Sequence, residues 1–114
     1  MRLVRFDATR GHELDHHGSS GFRLTPLAAL AEGRIVVVRL APGGRIGRHP
    51  AAGPQMFAVV SGEGTVSGAD GAEQPIAAGA AAVWEPGEEH ETRSEAGLTA
   101  LVIEGAVVDV LVEP

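Results

Sequence analysis

The chain has 114 residues, of which 44% are hydrophobic, and it carries a formal net charge of −6 and no cysteine. These values fit one folded domain and exclude disulfide bonds, thiol catalysis and cysteine-based zinc sites. The acidic balance disfavours nucleic acid as a partner, no apolar run approaches the roughly 20 residues that span a bilayer, and the N-terminus lacks a signal-peptide core, so we expect a cytoplasmic protein with no membrane partner.

Short apolar runs alternate with turn-forming residues along the chain, a pattern typical of all-β proteins. Asp70-Gly71 predicts a hairpin turn, since both residues tolerate positive φ, and the polar, Gly-rich residues 11–21 predict a loop. The near-regular spacing predicts a sandwich or barrel in a single domain covering residues 1–114. In chain order, the predicted strands cover residues 3–6, 34–40, 55–61, 65–67, 74–77, 81–84, 89–93, 98–104 and 107–112.

Residues 25–33 carry conflicting signals. Thr25 suits a helix cap, Pro26 suits the first helical position, and Gly33 suits the end of a helix. A helix of about two turns is marginal unless it packs against something else. We therefore interpret this segment as irregular or strand-like.

Two stretches of the chain keep a regular spacing of glycine and histidine. The first, at residues 43–62, contains Gly, five residues, His49, five residues, Gln55, six residues and Gly. The second, at residues 79–94, contains Gly, five residues, Glu-Pro-Gly, two residues and His90. Each stretch thus begins at a glycine and contains a histidine, a residue type that commonly binds metal ions, close to a predicted strand.

These stretches resemble the two conserved motifs of the cupin superfamily. The resemblance implies a single-domain, RmlC-like jelly-roll β-barrel, also called a double-stranded β-helix, with motif side chains pointing inward. Three positions depart from the family pattern. Ala51 stands where the family has a second His, Gln55 where it has Glu, and Glu85 where it has Pro. The spacing of the glycines therefore matches the family pattern better than the metal-ligand positions do. In this family the fold does not determine the function.

The resemblance places His49, Gln55 and His90 together inside the barrel as candidate ligands of a divalent metal. Imidazole suits Zn, Fe, Ni and Mn, and the amide oxygen of glutamine is an acceptable harder ligand. Three neutral ligands would leave the metal its full charge and open positions for a substrate. The alternative is that Ala51 abolishes metal binding and the same residues form the polar floor of a small-molecule pocket.

Strand alternation predicts two further side chains at this site. Phe57 shares the face of Gln55 and is expected to form an apolar wall against a ligand. Glu88 shares the face of His90, which makes it a candidate general acid or base. The alternative for Glu88 is a place in a solvated acidic rim.

Arg45 and Arg48 flank the first motif histidine. Their guanidinium groups could bind a substrate carboxylate in a bidentate manner. Ion pairing with surface glutamates is the alternative.

Two functions remain open on these grounds. The first is a domain that binds a small organic molecule and acts as a divalent-metal-dependent enzyme of the isomerase or dioxygenase type. The second is a metal-free module for ligand binding or interaction, without catalysis. The second predicts that a ligand stabilises the protein in the absence of metal.

The terminal runs at residues 3–6 and 107–112 bear on assembly, because they are apolar on both faces. An edge strand of this kind invites pairing with another chain. We therefore expect a homodimer with a two-fold interface.

Overall fold

The computed structural model describes residues 1–7 and 9–112, and nearly all regular structure in this part of the chain is β-strand. A short 3₁₀ turn occupies His16–Gly18, and no helix among the described residues is long and apolar enough to span a membrane. The predicted all-β class is therefore confirmed. In chain order the strands are β1 (Arg2–Arg5), β2 (His12–Leu14), β3 (Phe22–Leu24), β4 (Ala28–Leu40), β5 (Gly44–Pro50), β6 (Gln55–Ser67), β7 (Gln74–Ala77), β8 (Ala80–Trp84), β9 (Glu89–Ser94) and β10 (Leu98–Val110).

The polar segment predicted as a loop at residues 11–21 contains one strand of a small hairpin. His12 pairs with Leu24 and Leu14 pairs with Phe22, so β2 and β3 form a separate two-stranded sheet. The loop prediction was therefore wrong for residues 12–14. Polar composition concealed them because a two-stranded ribbon can leave its side chains in solvent.

The segment with conflicting signals, at residues 25–33, enters a long strand. β4 begins at Ala28 and pairs with β10 along its whole length, from Ala28 opposite Val110 to Leu40 opposite Leu98. This continuous ladder supplies partners for the backbone groups, whereas a two-turn helix would have to be stabilised by packing alone. Tertiary pairing therefore overrides the local helix signals.

Strand β6 is continuous, although the sequence suggests a break at residues 62–64. Its first half pairs with β8 and β10, and its second half pairs with β7 and β9. Gly62 lies between the two halves with φ of +81°, and the register with β10 shifts just before it. A glycine in this conformation and a β-bulge both bend a strand sharply. The Gly-rich segment therefore bends β6 from one layer into the other instead of ending it.

The strands form two layers that share β6. One layer has the order β1-β8-β6-β10-β4, and in the other β5 pairs with β9, β9 with β6, and β6 with β7. This is a jelly-roll β-sandwich, which confirms the predicted jelly roll. The expectation of a closed barrel was wrong, because no pairing among the described strands joins the outer strands β1 and β4.

Two apolar clusters stabilise this arrangement. The first fills the space between the layers, where Phe57, Val59 and Trp84 meet Val66 and Ile76. The second covers the outer face of the five-stranded layer and contains Val4, Met56, Ala58, Ala81, Ile103 and Val112. Because Leu3 packs against the first cluster and Val4 belongs to the second, both apolar faces of β1 are already covered within the chain.

Candidate functional site

A β-bulge in β5 turns the first motif histidine toward the space between the two layers, where the residue remains exposed to solvent at the cavity's rim. Ile46 pairs with Thr92, but His49 pairs with His90, so the register between β5 and β9 shifts by one residue across Gly47 and Arg48. With strict alternation, residues 46 and 49 would point to opposite faces of the strand. The bulge inserts one extra residue, and both side chains consequently line the same cavity.

This cavity lies between the two layers and has a volume of about 190 Å³. It is comparable with an engineered apolar cavity of about 150 Å³ that binds benzene. Aliphatic and aromatic side chains make up most of its wall, and five polar residues complete it. The lining residues are Val36, Val38, Ile46, His49, Gln55, Phe57, Trp84, His90, Thr92, Val102 and Glu104.

The imidazoles of His49 and His90 face each other across β5 and β9, with ring centroids 4.3 Å apart and planes tilted by 53°. The Nδ1 atom of His49 lies 2.6 Å from the Gly47 carbonyl oxygen, and that of His90 lies 3.0 Å from the Glu88 carbonyl oxygen. A carbonyl oxygen can only accept, so both Nδ1 atoms carry the hydrogen. Nε2 is therefore the ring nitrogen of each histidine that is left for another partner.

His90 is held in its neutral form. Its residue is only 3% exposed, and this burial lowers the pKa of the imidazole, an effect to which the neighbouring His49 adds. The hydrogen bond to the Glu88 carbonyl acts in the opposite direction without reversing the shift. On its other side the His90 ring stacks on the indole of Trp84, with centroids 4.3 Å apart and planes 29° from parallel. At neutral pH the Nε2 atom of His90 therefore has a lone pair and carries no proton.

Glu104 is a cavity residue that the sequence analysis missed. It lies opposite Gln55 in the ladder between β6 and β10, and its Oε2 accepts a 2.9 Å hydrogen bond from the Gln55 amide nitrogen. Its Oε1 accepts a 2.7 Å hydrogen bond from Arg34. The pKa of Glu104 is lowered mainly by the hydrogen bond from the Arg34 guanidinium, and burial acts in the opposite direction. No motif spacing leads to this carboxylate; only the strand register would have found it.

The hydrogen bond to Glu104 determines the orientation of Gln55. Since the amide nitrogen of Gln55 donates to the carboxylate, its amide oxygen is the atom left for another partner. Phe57 follows on the same face of β6 and is almost fully buried against Trp84, with ring centroids 5.9 Å apart. The structure thus brings His49, Gln55, Phe57 and His90 around one cavity.

The structure places Glu88 outside this cavity lining. Its carboxylate accepts hydrogen bonds from the Met1 ammonium group at 2.8 Å and from the backbone N–H groups of Ala69 and Glu85, each at 3.0 Å. Burial alone would raise the pKa of Glu88, but these donors outweigh it and the pKa is lowered. Glu88 ties the first strand to the second motif, and its carbonyl oxygen orients His90.

Arg45 and Arg48 are not brought to the cavity either. The Arg48 guanidinium donates to the carbonyl oxygen of Gly68 at 2.9 Å and reaches the Ser67 hydroxyl at 3.5 Å. Arg45 lies opposite Arg93 in the ladder between β5 and β9, on the face away from Ile46. The bulge that turns His49 inward leaves both arginines on the outside of the sandwich.

We expect Glu88→Gln to reduce the free energy of unfolding at pH 7 by about 1–3 kcal/mol, since the variant leaves a buried ammonium group without its charge partner. The lowered pKa means that this stabilisation is fully present above the ordinary value of 4.5 and disappears as the pH falls through the folded value. The difference from wild type should therefore narrow below pH 4.5. Urea unfolding at several pH values measures it, with exposed Glu89→Gln as the control; equal stability of the two variants at every pH would contradict the prediction.

The donor set can be compared with what a metal ion requires. The Nδ1–H groups of both imidazoles donate to backbone carbonyls, as the non-coordinating nitrogen of metal-binding histidines commonly does. The Gln55 amide oxygen adds a third neutral donor. Within residues 1–7 and 9–112, however, no three His, Cys, Asp or Glu side chains are grouped as a metal site would need. A metal would thus depend on the glutamine.

Comparison with known proteins adds to this geometry. A family model described as the cupin domain matches residues 36–107, which include both motif histidines and Glu104. Comparison with curated proteins gives no match.

Several solved structures are similar to the chain. One is a predicted oxalate decarboxylase from Thermotoga maritima, with 25% identity, a TM-score of 0.59, and coverage of 70% of this chain and 69% of that chain. Another is an RmlC-like cupin from Shewanella frigidimarina, with 22% identity, a TM-score of 0.62, and coverage of 67% and 68%. A DMSP lyase from Ruegeria pomeroyi has 19% identity and a TM-score of 0.59, with 63% of this chain and 37% of that chain covered. The last two likenesses concern the fold alone.

Proposed function

Since the chain belongs to the cupin domain family, we propose that it binds a small organic molecule in the cavity between its two layers, together with a divalent metal ion. The observation that carries this proposal is the facing pair of imidazoles of His49 and His90, whose Nδ1 atoms donate to backbone carbonyls and leave Nε2 for another partner. The apolar wall around them supplies the remaining contacts that a small ligand needs.

In this proposal the metal is held by His49, His90 and the amide oxygen of Gln55. Imidazole nitrogens suit Zn, Fe, Ni and Mn, and Glu104 keeps the amide turned so that its oxygen is available. A bound divalent ion would supply Lewis-acid polarisation of a substrate oxygen or activation of water. The chain's own residues bind the ligand along the apolar wall and hold the two Nδ1 protons at the carbonyl oxygens of Gly47 and Glu88.

The similarity to a predicted oxalate decarboxylase supports an enzymatic role for the site. We propose a reaction on a small organic molecule, of the isomerase or dioxygenase type. A general acid or base from this chain would have to lie on the cavity wall, which favours Glu104 over Glu88.

Measuring the metal content of the purified protein directly tests whether it binds a metal ion. Protein purified without added metal and then incubated with Zn²⁺, Mn²⁺, Fe²⁺ or Ni²⁺ should retain about one equivalent of at least one of them after gel filtration. Elemental analysis by mass spectrometry measures this. Less than about a tenth of an equivalent of every metal would overturn the metal-dependent form of the proposal.

A metal-free binding module is the second candidate function. It is favoured by the absence, among the described residues, of a third His, Cys, Asp or Glu grouped with the two histidines. In this case the imidazoles and Gln55 bind the ligand through hydrogen bonds alone. A ligand that raises the melting temperature equally with and without a chelator would select this candidate over the metal-dependent one.

We also propose that two copies of the chain associate through β4. This strand lies at the edge of the five-stranded layer, and its outward-facing Ile35 and Val37 are 58% and 51% exposed. Long apolar edge strands favour pairing with another chain. Light scattering should give twice the chain mass of 11.7 kDa, and the double variant Ile35→Lys, Val37→Lys should give the monomer. Leu24→Lys, at an exposed apolar residue outside β4, is the control; a monomeric wild type would refute the pairing.

A further inference from the structure

Gln55 and Glu104 form a pair in which one side chain restricts the identity of the other. The two residues lie opposite each other in the ladder between β6 and β10, and the Gln55 amide nitrogen donates to the Glu104 carboxylate over 2.9 Å. An ionised carboxylate can only accept hydrogen bonds. A glutamate at position 55 would face it with a second acceptor of the same charge, whereas a glutamine supplies the donor.

This pairing accounts for the glutamine in the first motif, where the cupin pattern has a glutamate. Glu104 is the one carboxylate among the described residues that line the cavity, and it comes from the strand next to β6. The cavity therefore keeps one negative charge in its lining, but that charge lies on β10 and the amide lies on β6.

Arg34 binds the same carboxylate through its other oxygen. The Arg34 Nε donates to Glu104 Oε1 over 2.7 Å, while Gln55 donates to Oε2, so each carboxylate oxygen has its own donor. The Arg34 side chain is 73% exposed, and an ion pair with so exposed a partner contributes little to stability. Two donors on the two oxygens do, however, fix the direction of the carboxylate, and the carboxylate fixes that of the Gln55 amide.

We propose that Glu104 and Arg34 are positioning residues for Gln55, and that Glu104 supplies the negative charge that the family motif carries at position 55. This inference rests on the proposed function in that Gln55 serves as a metal ligand. With its nitrogen bound to Glu104, the amide has only its oxygen to offer a metal ion. The charge then lies one hydrogen bond outside the ligand set, where such partners orient a ligand and raise its basicity.

The orientation of Gln55 can be measured on the full chain without any metal. The chain contains two glutamines, Gln55 and the exposed Gln74, and no asparagine, so a ¹⁵N-labelled sample has two side-chain carboxamide groups. The bond to Glu104 should shift one Gln55 amide proton downfield of its Gln74 counterpart. Glu104→Ala should abolish this difference and Arg34→Ala should reduce it. Arg39→Ala, at another exposed arginine of β4, is the matched control and should leave it unchanged.

Exchanging the two side chains tests their dependence on each other. In the metal-free protein at pH 7, Gln55→Glu should lower the unfolding midpoint by roughly 4–8 °C, because repulsion between two carboxylates replaces a hydrogen bond to a charged group. The double variant Gln55→Glu, Glu104→Gln has one donor and one carboxylate again, and it should recover at least half of this loss. A Gln55→Glu variant as stable as wild type, or a double variant that recovers nothing, would contradict the pairing.

Zinc titration tests the positioning role itself. Glu104→Ala should lower the affinity for Zn²⁺ about 10- to 100-fold, the usual effect of removing a group that hydrogen-bonds to a metal ligand, and Arg39→Ala should not change it. Unchanged Zn²⁺ affinity in a folded Glu104→Ala variant, or equal carboxamide shifts of Gln55 and Gln74 in the wild type, would overturn this inference and leave the two histidines as candidate ligands. A wild type that binds no metal ion would overturn the metal in the proposed function and the positioning role with it, while the carboxamide shifts still decide whether Gln55 pairs with Glu104.

Discussion

If His49, Gln55 and His90 hold a metal ion as proposed, replacing His90 with alanine should lower the affinity of the protein for Zn²⁺ by at least about 100-fold. Loss of a group that only hydrogen-bonds to a metal ligand typically lowers metal affinity 10- to 100-fold. His90 would contribute a nitrogen ligand directly, so its loss should have at least the larger effect. His49→Ala should have an effect of the same size, because the two imidazoles lie 4.3 Å apart and would share one ion. Isothermal titration of the metal-free protein with Zn²⁺ measures both.

The control for this measurement is His12→Ala. His12 is an exposed residue of β2, in the separate two-stranded sheet, and it does not line the cavity. Circular dichroism and the unfolding midpoint separate loss of a ligand from loss of the fold, since His90 also stacks on Trp84. A folded His90→Ala variant that binds Zn²⁺ as tightly as the His12→Ala control would contradict the metal assignment.

Gly62→Ala should lower the free energy of unfolding by more than about 3 kcal/mol, a large effect for the addition of one methyl group. The residue has φ of +81°, and such backbone strain alone costs about 1–3 kcal/mol for a residue with a side chain. An added Cβ would also lie 2.2 Å from the Gly97 carbonyl oxygen and 2.8 Å from the Leu98 Cα. Both are backbone atoms, which cannot move aside without disturbing the ladder between β6 and β10.

Gly71→Ala is the matched control for this substitution. Gly71 has a similar φ of +74°, but nothing lies within 4 Å of its added Cβ. Only the backbone strain should remain, at the low end of that range, about 1 kcal/mol. Thermal unfolding should show a midpoint decrease of roughly 4–8 °C for Gly71→Ala and a several-fold larger decrease, or an unfolded protein, for Gly62→Ala. Equal midpoints for the two variants would show that the close approach at Gly62 is not limiting.

The sequence alone was sufficient for the fold class and for part of the candidate site. Alternating apolar residues and Gly, Pro and Asp turns are local features, so they predict strands without knowledge of which strands pair. The resemblance of the two motifs to those of the cupin superfamily likewise implied that His49, Gln55 and His90 belong to one site, and alternation added Phe57 to the face of Gln55. The structure brings these four side chains around one cavity.

The tertiary structure decided what depends on pairing partners. β4 forms where local signals favour a helix because β10 offers it a complete ladder, and the five-stranded layer stays open because its outer strands do not meet. His49 turns inward through a bulge that is visible only in the register with β9. Glu104 reaches the cavity because the ladder sets it opposite Gln55, 49 residues away along the chain.

The same distinction explains Glu88 and Trp84. Alternation placed Glu88 beside His90, but the ammonium group of Met1 and two backbone N–H groups bind its carboxylate away from the cavity. The buried indole N–H of Trp84, which has no hydrogen-bond partner among the described residues, likewise becomes apparent only once the chain has folded. Periodicity determines which face of a strand a residue occupies, whereas hydrogen-bond satisfaction depends on groups from distant parts of the chain, and these are known only once the chain has folded.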